Sequence, residues 1–305
     1  MNIRTDLSTD LGGFRIKNPV MPASGTYEYT NESARLFPLE RLGAIVVKSV
    51  NLHPRQGNPG PRIIEVPNGM INAVGIPSVG LPRFLTEELP PLRRHRAPVV
   101  LSVSGECGED YRSSAELLTD NRDFDALELN LSCPNVGTGL PFSSEPELMR
   151  ATIAPVRDLI KQPIFVKLTP MVADITRMAG VAEECGVNAV VIANTFPSMV
   201  IDVKKRKPVL GNTFGGMSGP CIKPLVMKLV YQAYERIHIP IIACGGIASA
   251  ADAVEYLLAG ATALQIGSMN FVNPLIMPEV IAGIDEYLYE NGFYSVKEII
   301  GLAHA

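Results

Sequence analysis

The segment from Asn130 to Asn135, with the sequence Asn-Leu-Ser-Cys-Pro-Asn, places the thiol of Cys133 between two carboxamide side chains. The run 126–129 before it predicts a strand, and the proline and glycines after it predict that this strand ends in an open loop. A carboxamide both donates and accepts hydrogen bonds, which suits a planar polar ligand and adds nothing to core packing. An isolated cysteine is more often an inert core residue, but these neighbours favour a base or nucleophile held over a bound small molecule.

Two lysines each end an apolar strand, Lys48 after the pair 46–47 and Lys167 after the pair 165–166. An ammonium among apolar neighbours needs an anion or a strong acceptor to offset its desolvation. The alternative is a lysine at the edge of the sheet that reaches water. The basic run 204–207, by contrast, is interpreted as a solvated loop face.

Two glycine-containing turns, Gly245-Gly246 and Gly267-Ser268, close the predicted strands seven and eight. In parallel barrels the loops after these two strands frequently bind phosphate through backbone N–H groups, which glycine allows to come close. A single pair could simply start a tight turn, but two pairs at these positions favour a phosphate site. The segment 215–220 is predicted to be a further flexible loop, suited to lying along a cofactor.

One module recurs along the chain: an amphipathic helix, a glycine, a short apolar strand, and a polar or glycine residue where the strand ends. In the clearest copy Ser249 caps the helix and Gly260 ends it. Eight apolar strands are predicted, at residues 19–23, 44–47, 98–103, 126–131, 163–166, 188–193, 239–243 and 262–266. Their alternation with helices predicts an α/β fold, a (β/α)8 TIM barrel, in one domain over residues 1–305. A doubly wound sheet is the alternative, but its glycine-rich dinucleotide loop is missing.

Composition limits the classes of function. The 305 residues are 47% hydrophobic and carry a net charge of −4, which argues against a nucleic-acid-binding surface. No apolar run reaches the roughly 20 residues needed to span a bilayer, and the N-terminus resembles neither a signal nor a transit peptide. We therefore expect a cytoplasmic protein without a membrane partner.

The cysteines and histidines predict no metal site. The five cysteines lie far apart and form no C-x-x-C pair, and the four histidines fall in no metal-binding motif. Cys185 and Cys244 are expected in the core, whereas Cys107 and Cys221 lie in predicted loops and are assigned no role.

Further short motifs follow one another along nearly the whole chain. They are Ala23-Ser24-Gly25-Thr26, Lys48-Ser49, Gly57-Asn58-Pro59, Pro61-Arg62, and the segments 69–75, 130–135, 166–168, 194–195, 216–224, 245–247 and 267–268. In content and order these motifs resemble those of the dihydroorotate dehydrogenase family.

The resemblance implies an FMN-containing barrel that oxidises dihydroorotate to orotate in pyrimidine biosynthesis. Cys133 would be the base that removes the C5 proton while the C6 hydride moves to flavin N5, and Lys167 would be the cation beside flavin N1. The residues implied in holding FMN are Ser24, Lys48, Ser49, Asn130, Lys167, Ala193, Gly219, Gly245, Gly246, Gly267 and Ser268. Those implied in holding the substrate are Lys48, Asn72, Ala73, Val74, Gly75, Ile76, Asn130, Asn135, Asn194 and Thr195.

Within this family the loop 218–220 and the Ala-Ser-Gly-Thr motif resemble class 1B. Catalytic subunits of that class work with a second subunit, which carries FAD and a 2Fe-2S cluster and passes electrons to NAD. The resemblance therefore implies one FMN per chain, a homodimer within a heterotetramer, and an electron-transfer partner. The chain has neither cluster-type cysteine spacing nor a dinucleotide motif, which agrees with this division of labour.

Alternatives stay open because the segment 76–80, Ile-Pro-Ser-Val-Gly, departs from the Leu-Gln-Asn usual in the family. Pro77 is the change most able to alter the substrate lid. The alternatives are dihydropyrimidine dehydrogenase activity on dihydrouracil, a class 1A-like enzyme that reduces fumarate without a partner, and a flavin-binding barrel without turnover. Lys48, as a partner for a carboxylate, and Asn135 favour dihydroorotate.

Overall fold

Eight short parallel strands form the centre of the molecule in a computed structural model, which describes residues 3–27, 35–132 and 141–305. They are β1 (Val20–Pro22), β2 (Ile45–Val46), β3 (Val99–Ser104), β4 (Ala126–Asn130), β5 (Ile164–Lys167), β6 (Ala189–Ile192), β7 (Ile241–Cys244) and β8 (Ala263–Ile266). Their order is β1-β8-β7-β6-β5-β4-β3-β2. The Gly43 N–H donates to the Val20 carbonyl oxygen at 2.9 Å across the remaining join. The fold is a (β/α)8 TIM barrel, so this prediction is confirmed.

Every residue of these strands is buried, which explains why most of their residues are apolar on both faces. Successive side chains alternate between the helices outside and the interior of the barrel. Leu127 and Leu264, for example, belong to the outer core, while Met21, Ala126 and Phe165 belong to the inner one.

Helices surround the barrel and cover its outer face. The longer ones are Gly108–Leu118, Pro146–Leu159, Ile175–Glu184, Lys223–Tyr234, Ala250–Leu258 and Ile276–Glu290. Shorter α-helices are Leu81–Arg83, Leu89–Leu92 and Met269–Val272, with a π-helical stretch at Phe84–Glu88. Turns of 3-10 helix lie at Leu39–Arg41, Arg93–His95, Phe142–Ser144, Pro220–Ile222, Val296–Glu298 and Leu302–His304. The predicted cap is present, since Ser249 Oγ accepts a hydrogen bond from the Asp252 N–H at 3.2 Å. Among these helices of the described ranges, none has the length and hydrophobicity that a membrane crossing requires.

A four-stranded antiparallel sheet stands beside the carboxyl ends of the barrel strands, in the order Phe196–Ser198, Gly215–Ser218, Gly69–Asn72, Ile63–Val66. The interpretation of segment 215–220 as a flexible loop is therefore wrong, because most of it is a paired strand. Glycine is needed there for close packing, since a Cβ on Gly216 would lie 1.9 Å from Thr195 Oγ1.

Short strands complete the structure at three places. Val50–Asn51 extends β2 by pairing with β3, and Ile201–Asp202 pairs with Lys207–Pro208 around the exposed basic turn. The hairpin of Thr9–Asp10 and Arg15–Ile16 closes the amino end of the barrel. Its Leu11, Phe14 and Ile16 side chains join the inner core, and the Phe14 and Phe165 ring centroids are 5.8 Å apart.

Asp285, on the helix Ile276–Glu290, anchors the N-terminal segment. It is 3% exposed, and its Oδ1 accepts hydrogen bonds from the Arg4 N–H at 2.9 Å, the Thr5 N–H at 2.9 Å and Thr5 Oγ1 at 2.7 Å. Burial alone would raise the pKa of this carboxyl, but these hydrogen bonds and the charge of Arg4 lower it below its ordinary value.

We expect Asp285→Asn to lower the free energy of unfolding at neutral pH by about 1.5–3 kcal/mol, the usual contribution of hydrogen bonds to a charged group. The pKa of the folded state lies below that of the unfolded chain. The stabilisation is therefore complete above the unfolded value of about 3.9 and is lost as the pH falls through the folded value. Denaturant unfolding of both proteins at several pH values measures this. Glu290→Gln, an exposed carboxylate on the same helix, is the matched control, and a difference that persists unchanged at the lowest pH would contradict the assignment.

Candidate functional site

A cavity of about 830 Å³ opens at the carboxyl ends of the barrel strands. Its volume is in the range typical of sites for small molecules and cofactors. Seven of the eight strands contribute residues at or just beyond their ends: Ala23 to Gly25, Lys48 and Ser49, Asn130 and Ser132, Lys167 and Thr169, Ala193 to Thr195, Cys244 to Ile247, and Gly267 to Met269. The antiparallel sheet supplies one wall, which includes Met70, Asn72, Gly215, Gly216 and Ser218.

The two glycine turns line one part of the cavity and differ in why they need glycine. Gly245 and Gly246 have φ values of 138° and 74°, and a Cβ on Gly246 would lie 2.5 Å from Lys223 Cβ. The conformation and packing of the protein itself thus require Gly246. A Cβ on Gly267 would meet nothing nearer than Ala23 Cβ at 3.7 Å. The space beside Gly267 is therefore open to a ligand.

Tyr256 fixes the first of these turns from behind. Its hydroxyl donates to the Gly245 carbonyl oxygen at 2.7 Å, and burial raises the pKa of the phenol well above its ordinary value. The hydroxyl therefore stays protonated and acts as a donor, which holds the turn in place.

The ammonium of Lys167 lies at the floor of the cavity and is nearly inaccessible, at 4% exposure. It donates to Cys244 Sγ at 3.5 Å and to Gln265 Oε1 at 3.3 Å. Burial lowers its pKa, but the charges of Cys244 and Glu128 and the hydrogen bond to Cys244 raise it, and the net pKa lies above the ordinary value. A protonated lysine is thus held beneath the space that a ligand would fill.

A buried polar layer surrounds this lysine and was missed by the sequence interpretation. Ser102, Glu128 and Gln265 are each 0% exposed, and Glu128 accepts hydrogen bonds from both of the others. Cys244 was expected in the core and is buried, but it also lines the cavity. The available signal was a polar residue in the interior of an apolar run, at Glu128 in β4 and Gln265 in β8.

Carboxamides and hydroxyls form a connected group on another side of the cavity. Asn130 Oδ1 accepts from Ser132 Oγ at 2.6 Å and from Asn194 Nδ2 at 3.3 Å, and Asn194 also donates to Ser132. Asn130 Nδ2 in turn donates to Ser49 Oγ at 3.2 Å. These contacts fix the side-chain orientations, so the group presents a defined pattern of donors and acceptors.

Lys48 is half-buried at the cavity wall, next to Ser49. Burial lowers its pKa, the nearby Arg62 lowers it further, and Glu88 acts in the opposite direction. Binding of an anion at this wall would favour the charged form of Lys48 and offset part of its desolvation.

The structure brings the described members of the two predicted sets to this one cavity, with one exception. Ala73 is not among the lining residues, because it lies in a small core cluster with Ile71 and Leu210. Cys133 and Asn135 lie outside the described residues. The ligand roles of all these residues stay predictions. Lining residues outside the two predicted sets include Ile63, Met70, Ser132, Thr169, Met171, Phe214, Met269 and Phe271.

Metal-ligating side chains do not cluster in the part of the chain that is described: no group of three histidine, cysteine or carboxylate residues there could hold a metal ion. Cys107 is exposed, and Cys185 and Cys221 are half-buried.

Comparison with known proteins gives one consistent family. The family model described as dihydroorotate dehydrogenase matches residues 6–288. A protein of Geotalea daltonii is 43% identical over 299 residues, which is 98% of each chain. A protein of Thermodesulfovibrio yellowstonii is 44% identical, covering 97% of this chain and 98% of its own. A protein of Porphyromonas gingivalis is also 44% identical, covering 98% and 97%.

All three relatives carry the name dihydroorotate dehydrogenase B (NAD(+)), catalytic subunit. The match extends over nearly the full length of this chain, and it includes the strand ends that line the cavity. The chain belongs to the dihydroorotate dehydrogenase family of oxidoreductases.

Proposed function

We propose that this chain oxidises dihydroorotate to orotate on a bound FMN, in pyrimidine biosynthesis in the cytoplasm, and that a partner subunit passes the electrons to NAD. The observation that carries the proposal is the cavity itself. It combines two glycine turns, a buried ammonium and a group of fixed carboxamides within one space of about 830 Å³. The glycine turns suit a phosphate, the ammonium suits an electron-accepting ring, and the carboxamides suit a planar polar substrate.

The lining residues fit FMN. The open space beside Gly267 suits a phosphate that approaches the backbone closely, and Ser24 and Ser268 add hydroxyls to the same cavity. Lys167 supplies a protonated ammonium at the floor, where it would stabilise negative charge on the ring. FMN, when bound, supplies the hydride acceptor, and the polar groups around it fix its orientation.

The other polar groups fit dihydroorotate. Lys48 would hold the substrate carboxylate. Burial lowers the pKa of Lys48, and a bound anion would favour its charged form. Asn72, Asn130 and Asn194 carry both donors and acceptors, as the amide edges of a pyrimidine ring require. Phe214 and Phe271 add apolar surface to the same cavity, which would limit the access of water.

Cys133 is proposed as the base. In the sequence it follows Ser132, which lines the cavity just beyond β4 and hydrogen-bonds to Asn130 and Asn194. As a thiolate it would take the C5 proton of the substrate, and the C6 hydride would pass to the bound flavin, so that both C–H bonds break and a C5=C6 double bond forms.

The partner is proposed from the relatives, which are named as catalytic subunits of an NAD(+)-linked enzyme. We infer that the partner carries FAD and a 2Fe-2S cluster and that two copies of this chain form a homodimer within a heterotetramer. Phe271, Val272 and Leu275 are 60%, 74% and 42% exposed, and Phe271 also lines the cavity. Such apolar side chains at the rim suit a protein contact near the proposed flavin.

The purified chain should release FMN rather than FAD on denaturation. We expect Gly267→Leu to weaken FMN binding by at least about tenfold, equivalent to about 1.4 kcal/mol, because the new side chain would enter the space of the phosphate. Gly180→Leu is the matched control, since a Cβ on Gly180 meets nothing within 4 Å. FMN titration of the apoprotein by fluorescence quenching measures both variants. Equal affinity of Gly267→Leu and the parent would place the phosphate elsewhere.

Cys133→Ser should retain FMN and bind orotate, but reduce the flavin about 10²–10⁴-fold more slowly at neutral pH, the usual effect of removing a positioned base. An ordinary thiol has a pKa of about 8.5, so the rate of flavin reduction in the parent should rise as the pH approaches that value. Stopped-flow absorbance under anaerobic conditions follows flavin reduction by dihydroorotate. Cys107→Ser, at an exposed position, is the control; a near-normal rate in Cys133→Ser would assign the proton to another group.

The isolated chain should reduce its own FMN with dihydroorotate and pass electrons to an artificial dye, but reduce NAD negligibly. A subunit with FAD and a 2Fe-2S cluster should restore NAD reduction when the two are co-purified. Steady-state assays with dye, NAD and fumarate as acceptors separate the possibilities. Rapid NAD reduction by the isolated chain would contradict the need for a partner, and efficient fumarate reduction would indicate a class 1A-like enzyme.

A further inference from the structure

A fully buried carboxylate lies beneath the cavity without touching it. Glu128 is 0% exposed and is not a lining residue. Its Oε1 accepts from Ser102 Oγ at 3.1 Å, and its Oε2 accepts from Gln265 Nε2 at 2.6 Å. Two accepted hydrogen bonds suit the ionised form of the side chain. A buried ionised carboxylate needs a cation to offset its desolvation.

That cation is Lys167, and Gln265 connects the two charges. Gln265 Oε1 accepts from Lys167 Nζ at 3.3 Å, while Gln265 Nε2 donates to Glu128. The two hydrogen bonds thus have the same direction: Lys167 donates to Gln265, and Gln265 donates to Glu128. A glutamine connects them in this way in only one of its two amide orientations, so the network fixes that orientation.

The other titratable group against Lys167 is Cys244, whose Sγ lies 3.5 Å from the ammonium. Burial raises the pKa of this thiol, so at neutral pH it is uncharged. Cys244 and Glu128 are the two described groups whose charges raise the pKa of Lys167. At neutral pH the negative charge that remains beside the lysine is therefore that of Glu128.

We propose that Glu128 is a positioning residue that acts through Gln265 to keep Lys167 protonated beneath the cavity, and thereby tunes the potential of the flavin. The inference rests on the proposed flavin site. Reduction places negative charge at the N1 edge of the ring, and a protonated lysine stabilises that charge whereas a neutral lysine does not. Glu128 thus affects the reaction without contacting the cofactor.

The test is Glu128→Gln, with the midpoint potential of the bound flavin measured by dye-coupled titration between about pH 6 and about pH 10, below the ordinary lysine value. In the parent, Lys167 stays protonated over this range. In the variant Lys167 keeps only the thiol of Cys244 beside it, whose pKa burial raises, so the ammonium loses its proton within the range. Relative to the parent, the ratio of reduced to oxidised flavin should fall at least about tenfold from the lowest to the highest pH, which is about 30 mV for a two-electron couple.

Two further variants separate charge from structure. Glu128→Gln combined with Gln265→Glu returns one carboxylate to the layer, beside Lys167, and should restore the parent profile. Ser102→Ala removes a hydrogen bond to Glu128 but not its charge, so any difference in midpoint potential from the parent should stay the same at every pH.

A constant offset of Glu128→Gln at every pH, or failure of the double variant to restore the profile, would overturn the inference. If Glu128→Gln does not retain flavin, the double variant decides, because it keeps the total charge of the layer. If the double variant retains flavin and shows the parent profile, the inference is supported. If the double variant also loses flavin, the inference is refuted. A parent protein that binds no flavin would instead refute the proposed function, and the inference with it.

Discussion

An ammonium inside a barrel of apolar strands constrains everything built around it. Desolvation of the Lys167 charge costs several kcal/mol, so hydrogen-bond acceptors and a counter-charge among the surrounding residues must offset it. The structure does so with one polar layer that contains Glu128 and Gln265. Below that layer, apolar side chains such as Phe165 and the hairpin residue Phe14 fill the amino end of the barrel. The charge therefore meets ligand space on one side only, and this fixes where chemistry can take place.

The glycines of the cavity show that one residue type can serve two distinct purposes. At Gly246 the left-handed backbone and the nearness of Lys223 exclude any side chain, so the requirement comes from the fold. At Gly267 the protein leaves room, so a requirement for glycine there would come from a ligand. A substitution at Gly246 would therefore confuse misfolding with loss of binding, whereas Gly267 separates them. The same distinction between packing and chemistry applies to Cys244, which is buried like a core residue but contacts the lysine.

Local patterns predicted the barrel well. Apolar runs and helix caps such as Ser249 are signals within a few residues, and the structure has eight parallel strands and that cap where they were expected. The polar layer was not predicted, because Glu128 and Gln265 are far apart in sequence and meet only when the barrel closes. The strand Gly215–Ser218 was missed for a similar reason: its glycines favour a loop locally, and pairing with Gly69–Asn72 overrides that preference.

The proposed cofactor and substrate sets share Lys48 and Asn130, and this overlap has a mechanistic consequence. Hydride transfer needs the reacting atoms within about 3–3.5 Å, so the two ligands must be in contact rather than in separate pockets. Residues that face both ligands set their relative position, and Asn130 is itself fixed by Ser132, Asn194 and Ser49. Because these hydrogen bonds are present within the protein itself, little reorganisation is needed when the ligands bind. The geometry of transfer would then be determined mainly by the barrel.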